Sequence, residues 1–177
     1  MDVVLPTLDT PRLLLRPFSE DDLDGYAVVV GDDEVCRYLG HPPRSREDAW
    51  RDLAFFLGHG VLRRWTVNAV VGKASGRLLG RCGLYRPEGW PGLEVGWTLA
   101  RAEWGRGYAT EAAAAWRDWA FRTLDLAELV SVVHVDNVRS ARVARRIGHR
   151  RLREIEVRGH PCVLWGQTRA DWTAEHG

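Results

Sequence analysis

Leu93-Glu94-Val95-Gly96-Trp97-Thr98-Leu99-Ala100, followed by Arg101-Ala102-Glu103 and then by Trp104-Gly105-Arg106-Gly107-Tyr108-Ala109-Thr110-Glu111-Ala112, reads as a strand, a short polar connection, a Gly-x-Gly turn and a helix start. Along the strand, Leu93, Val95, Trp97 and Leu99 share one face while Glu94, Gly96 and Thr98 share the other. That alternation predicts one packed face and one chemically available face. Backbone N–H groups at a helix start lack intrahelical partners and carry partial positive charge, which suits them to phosphate. Gly105 and Gly107 permit close backbone approach, and Arg106 between them adds a cation. The segment is not a Walker loop, because the Gly-Lys-Ser/Thr ending is missing, and it lacks the third glycine of the dinucleotide fingerprint. On these residues alone it is either a diphosphate cradle or a glycine turn that only opens a helix.

Upstream of it, Leu13-Leu14-Leu15 between Arg12 and Arg16 reads as a short first strand. Ser19, with Asp22 three residues on, predicts a helix reaching about Val30. Ser45 and Asp48 predict a second, carrying Trp50, Leu53, Phe56 and Leu57 at helical spacing. Segments 64–71, 77–85 and 92–100 read as strands, the first two joined by the tight connection Gly72-Lys73-Ala74-Ser75-Gly76. Downstream, 107–122 is an Ala-rich helix with Ala112, Trp116, Trp119 and Ala120 as its buried stripe. Segment 129–135 is nearly all apolar, as a strand covered on both faces must be. A helix over 137–147 closes at Gly148, and strands over about 151–157 and 162–169 turn at Arg158-Gly159-His160-Pro161. The order β-α-α-β-β-β-α-β-α-β-β makes a mixed α/β or α+β domain, single over residues 1–177.

Composition narrows the function. A formal net charge of +1 argues against nucleic acid as the main partner. The cluster Arg142, Arg145, Arg146, Arg150 and Arg151 reads as a solvated face. Cys36, Cys82 and Cys162 are odd in number and have neither metal-ligand nor redox spacing, which predicts reduced core thiols in a cytoplasmic protein. No two histidines have metal spacing, so no metal is expected. The first residues lack a signal peptide's basic start and apolar run, and no apolar stretch approaches the ~20 residues that span a bilayer, so no membrane partner is expected.

Trp104 to Ala112 resembles the acyl-CoA signature of the GNAT superfamily of N-acetyltransferases, and more narrowly its RimJ/RimL-like branch. Thr10-Pro11-Arg12-Leu13 with Leu15-Arg16-Pro17 resembles that branch's opening strand, Glu94-Val95-Gly96-Trp97 its fourth-strand motif, and Asn137-Val138-Arg139-Ser140 with Ile147-Gly148 its late helix. The resemblance implies a mostly antiparallel central sheet of about seven strands, flanked by about four helices and splayed between the fourth and fifth strands. It implies acetyl-CoA as co-substrate, its pyrophosphate held by the amides of Gly105, Arg106, Gly107, Tyr108 and Ala109 within the Trp104 turn, with Thr110 close by. Backbone of Thr98, Leu99 and Ala100 would contact a pantetheine arm lying in the splay like an extra strand. Asn137 would bond that arm, and Ser140 would lie near the thioester sulfur. Two positions depart from the pattern: Trp104 stands where the superfamily has Gln or Arg, and Ala144 stands where many relatives carry a tyrosine general acid.

The implied reaction is direct attack of an amine on the thioester, which needs a base because amines are mostly protonated at neutral pH. Glu94, acting through water, is the candidate base; a structural carboxylate paired with an arginine is the alternative. Backbone N–H groups near Leu99 would stabilise the developing oxyanion. A thiol with a pKa of about 8.5 needs little acid help, so Ser140 is a hydrogen-bond donor rather than a strong acid. His134 reads as a packed neutral histidine, and Trp65, Trp90 and Trp97 as core or acceptor-pocket residues. Three functions fit: acetylation of a protein N-terminal α-amine, as in ribosomal-protein acetylation; acetylation of a small amine such as an antibiotic, polyamine or amino-acid derivative; or non-catalytic sensing of acyl-CoA. An anionic acceptor cleft would favour a cationic small molecule, and an open groove a peptide. Monomer and homodimer fit equally.

Overall fold

In a computed structural model describing residues 3–176, all the strands pair into one sheet. The chain runs β1 (Leu8–Asp9), β2 (Leu13–Arg16), α1 (Leu23–Val30), α2 (Asp33–Cys36), α3 (Arg46–Arg63), β3 (Val67–Gly72), β4 (Leu78–Tyr85) and β5 (Glu94–Leu99). It continues through α4 (Tyr108–Thr123), β6 (Glu128–His134), α5 (Val138–Arg146), β7 (Arg150–Val157), β8 (His160–Thr168) and α6 (Arg169–His176). The sheet order is β1-β2-β3-β4-β5-β6-β8-β7, antiparallel throughout except where β5 meets β6. This is the mixed, mostly antiparallel sheet that the sequence implies.

Local chemistry explains most boundaries. Ser45 Oγ accepts from the Asp48 amide at 3.1 Å while the Asp48 carboxylate accepts from the Ser45 amide, and α3 starts there as foreseen. Two short helices join the four foreseen. Asp32 Oδ1 accepts from the amides of Glu34 and Val35, which nucleates the four-residue α2. Thr168 Oγ1 accepts from the Asp171 amide and starts α6, so β8 ends one residue sooner than position 169. Arg169 then donates to the carbonyls of Phe121, Leu124 and Leu126 around the C-terminal end of α4. The eighth strand is β1, two residues paired to β2.

Both faces of β2–β5 are covered. Against one lie α1 and α3, through Tyr26, Leu53 and Phe56, with Phe18 from the preceding loop packed among them. Against the other lies α4, through Ala112, Trp116, Ala120 and Phe121. Trp116 is fully buried, and truncating such a residue costs about 3–5 kcal/mol. Along α3 the buried stripe is Ala49, Leu53, Phe56 and Gly60; Trp50 is 52% exposed and Leu57 faces outward. The large aromatic at 50 suggests one helical phase, and the small residues 49 and 60, which allow close approach to the sheet, set another.

The sheet is split at its centre. β5 and β6 run parallel and share the register pair Glu94↔Val130, held by the Val130 amide on the Leu93 carbonyl at 2.9 Å and by Ser131 Oγ on the Val95 carbonyl at 2.8 Å. Among the described residues no further pair joins them, and the two strands diverge. Counted from β2, this is the splay between fourth and fifth strands. Among the described residues no helix is long and apolar enough to cross a membrane.

Candidate active site

After β5 the chain makes one short 3-10 turn (Arg101–Glu103) and reaches Gly105 and Gly107, both left-handed with φ of 78° and 80°. An L side chain rarely adopts that backbone, which is why glycine stands at both. A Cβ at Gly105 would meet no protein atom within 4 Å, so the outer side of the turn is open to a ligand. The first backbone bond of α4 runs from the Glu111 amide to the Gly107 carbonyl at 3.0 Å. The amides of Tyr108, Ala109 and Thr110 are therefore the free N–H groups of a helix start. The Arg106 side chain is exposed and ion-paired to Glu103 at 3.3 Å. A diphosphate fits this arrangement: open space, successive unpaired donors and an adjacent cation.

A tie that no sequence pattern announces shapes this turn. The Glu111 carboxylate accepts from Thr10 Oγ1 (2.7 Å), the Arg12 amide (2.9 Å) and Arg12 Nε (2.6 Å). Arg12 Nη1 then donates to the Arg106 carbonyl at 2.9 Å, and the same guanidinium lies 4.6 Å from the centroid of the Tyr108 ring. Trp104 proves to be an anchor: its indole donates to the Leu99 carbonyl at 2.9 Å, and Arg139 stacks on its ring.

The expected backbone contacts on β5 need correction. Thr98 is paired with Arg81 of β4, and the Ala100 amide donates to the Leu79 carbonyl at 2.8 Å, so both face β4. Alternation turns the other set toward the split: the carbonyls of Leu93 and Val95 already bond β6 residues there, so the backbone groups of Trp97 and the N–H of Leu99 face the gap beyond, the Leu99 carbonyl being held by Trp104 Nε1. Of the three residues 98–100, Leu99 is the one whose N–H faces the space where an extra strand would lie.

A cavity passes through this gap, bounded by Gly96, Trp97 and Thr98 on one side and by Ser131 to His134, Asn137 and Ser140 on the other. Glu94 stands on its wall where the strands part. Its face of β5 is less open than the alternation suggests, since the residue is only 8% exposed. Oε2 accepts from Trp90 Nε1 at 2.7 Å and Oε1 from the Val132 amide at 3.2 Å. Burial pushes the carboxyl up to about 7, against the two hydrogen bonds and the nearby Arg81 charge, which pull it down. The alternative of a carboxylate locked to an arginine is not what is found: among the described residues no arginine nitrogen lies within 4.0 Å of it.

Asn137 Oδ1 caps α5 by accepting from the Ser140 amide at 3.1 Å, which holds both residues at the cavity rim. Ala144 is fully buried among Val133, Val163 and Trp165, so a tyrosine there would displace core. His134 lies half-buried on the cavity wall, its ring tilted against Tyr38 at 5.1 Å between centroids, with Nδ1 accepting from the Asp136 amide. Trp90 and Trp97 reach the cavity, whereas Trp65 packs against His59 inside the core. The three cysteines are unpaired and buried, Cys162 on the cavity wall. Among the described residues no group of His, Cys, Asp or Glu is arranged to hold a metal ion. The same cavity is lined by Phe55, Tyr85 and Trp90 and by the charged side chains of Arg44, Asp52 and Arg81.

Residues 12–150 match a family profile described as an acetyltransferase (GNAT) domain. The chain is 33% identical to the uncharacterized protein YkkB of Bacillus subtilis strain 168 over 164 residues, 89% of this chain and 93% of that one. It superposes on an acetyltransferase from Agrobacterium tumefaciens with a TM-score of 0.82 at 31% identity, over 94% of this chain and 96% of that one. With RimL, a ribosomal L7/L12 alpha-N-protein acetyltransferase solved in complex with coenzyme A, it shares the fold alone: TM-score 0.78 and 17% identity over 92% and 98% of the two chains.

Proposed function

Since this chain belongs to the GNAT family of acetyltransferases, we propose that it moves the acetyl group of acetyl-CoA to a primary amine by direct attack, with Glu94 as the base. The observation that carries this reading is the place of Glu94: a carboxyl at the vertex of the split, on the wall of the cavity, with its proton affinity raised to about 7. A base is most effective when its pKa lies near the working pH. Its contact with the cavity also favours an enzyme over a silent acyl-CoA sensor.

Acetyl-CoA supplies an activated acetyl thioester. The amides of Tyr108, Ala109 and Thr110, with Arg106, hold its pyrophosphate at the glycine turn. The backbone of Trp97 and Leu99 takes up the pantetheine arm along the gap, and Asn137 and Ser140 face that arm from α5. Glu94 removes a proton from the acceptor ammonium, directly or through water, so that the amine lone pair can attack the carbonyl carbon. An unpaired β5 amide facing the gap receives the developing oxyanion. The C–S bond then breaks, the thiolate leaves with Ser140 as hydrogen-bond donor at most, and the second proton of the former ammonium passes through solvent to the thiolate, leaving a neutral amide and coenzyme A thiol. Position 144 is a buried alanine and supplies no acid.

The deciding experiment mixes the protein with acetyl-CoA and a panel of primary amines while following free thiol. Amine-dependent thiol release is expected. Coenzyme A binding without release for any amine would overturn the reading.

A further inference from the structure

Arg81 occupies an unusual place. It projects from β4 on the face shared with Tyr85, Glu94 and Thr98, beneath α3, and its guanidinium lies 5.3 Å from the centroid of the Phe56 ring. Its Nε is shut off from solvent and has no hydrogen-bond partner. Among the described residues no carboxylate oxygen lies within 4.0 Å of it. Guanidinium groups withdrawn from water are ordinarily paired, because the uncompensated charge is costly. Arg44 Nε, in the same cavity, is likewise buried without a hydrogen bond and stands 3.9 Å from Asp52 Oδ2.

The carboxylates nearby are already committed. Asp52 faces Arg44 and accepts from Tyr26 Oη at 3.4 Å. Glu94 accepts from Trp90 and Val132. His41, also on the wall, is held toward its neutral form by burial. The cavity thus holds two guanidinium groups against one committed aspartate and one carboxyl that is half protonated near pH 7.

We propose that Arg81, assisted by Arg44, recognises a carboxylate on the acceptor, so that the amine acetylated here belongs to a free amino acid or a close analogue. The inference rests on the acetyl-transfer reading above. A guanidinium presents parallel donors that match a carboxylate two-pronged. Phe55, Tyr85 and Trp90 supply an apolar wall for the side chain. A polyamine would bring further cations against Arg44 and Arg81, and like charges in contact are strongly disfavoured. A protein N-terminus would bring a peptide bond where the charge is wanted.

The test offers leucine, methionine and phenylalanine, each beside its decarboxylated amine and its carboxamide. The free amino acids are expected to show kcat/KM roughly tenfold or more above either partner, the scale of a charge-assisted pair. Arg81→Met is expected to bring that ratio near unity, and Arg81→Lys to retain part of it. Calorimetry on protein saturated with coenzyme A, where no transfer can occur, should show the amino acids binding wild type and losing that binding in Arg81→Met. Equal or better use of decarboxylated amines, carboxamides or peptide N-termini by the wild type would overturn the inference, whether or not Arg81→Met folds. So would an Arg81→Met variant whose ratio is unchanged. Amino-acid binding that depends on Arg81 without transfer to any amine would uphold the carboxylate site and overturn the acetyl-transfer reading instead.

Discussion

Trp90 Nε1 donates to Glu94 Oε2 at 2.7 Å, so a side chain from the β4–β5 loop that walls the acceptor cavity also fixes how tightly the proposed base holds its proton. The indole bond favours the ionised carboxylate and partly offsets burial. Trp90→Phe keeps the aromatic wall and removes the donor. A lost hydrogen bond of ~1 kcal/mol corresponds to roughly 0.5–1 pH unit, so the acid limb of the kcat/KM profile should move upward from about 7 by that amount. A profile that stays in place would show that the bond does not tune the base.

Glu94→Gln should lower the transfer rate by roughly 10²–10⁴-fold near neutral pH while coenzyme A affinity stays within a few-fold. Stability supplies an independent reading. Glu94 binds its proton more tightly in the folded chain, at about 7, than at its ordinary 4.5. Its stabilising contribution is complete below about 4.5 and is lost as pH rises through about 7, on the order of 3 kcal/mol across that window. Denaturant unfolding of wild type and Glu94→Gln between pH 4 and 8 should therefore differ in slope. Parallel curves would refute the raised affinity.

Ser140→Ala should cost roughly tenfold or less in rate, because the thiolate leaves well and a hydrogen bond of ~1 kcal/mol is what disappears. The Asn137 cap survives, since the Ser140 group it accepts from is the backbone amide. Single-turnover kinetics decides the matter: a loss beyond about a thousandfold in a folded variant would make Ser140 the proton donor.

Gly107→Val should nearly abolish acetyl-CoA binding while the protein folds. At φ 80° valine is strained whatever the space, and its added Cβ would stand 3.3 Å from Arg12 Nη2, the far end of a flexible side chain. The strain should cost about 1–3 kcal/mol of stability. The affinity loss should be larger, because several charge-assisted hydrogen bonds worth ~1.5–3 kcal/mol each go together. Thermal unfolding and acetyl-CoA titration of one sample test both; normal affinity in a folded variant would place the pyrophosphate elsewhere.

What the sequence made legible was local. The glycine turn, the Ser45–Asp48 capping pair and the alternation of β5 depend on residues a few positions apart, and the elements formed as those patterns require. The remainder depends on register and packing. Glu111 and Arg12 are 99 positions apart, and neither belongs to a pattern that names the other. Arg81 is one arginine among many until pairing with Thr98 puts it under α3 and leaves its Nε buried without a hydrogen bond. Trp104 reads as part of a phosphate turn, yet its side chain bonds the Leu99 carbonyl, a contact set by the turn's curvature. The α6 signal was present as Thr168 and Asp171, hidden by the apolar strand running into it.

The parting of β5 from β6 gives the molecule an edge where a sheet is normally best protected. Trp97 and Leu99 lie near the middle of eight strands, yet their backbone groups beyond the Glu94↔Val130 pair have no neighbouring strand. Their amides should exchange with deuterated water far faster than those of Gly96 and Thr98, which β4 ties down, and should slow when coenzyme A fills the slot. An unpaired strand is also a template for a foreign one. Without a ligand in that gap the sheet carries an interior site for strand addition, and on the proposed reading a co-substrate bound there would double as protection against mispairing.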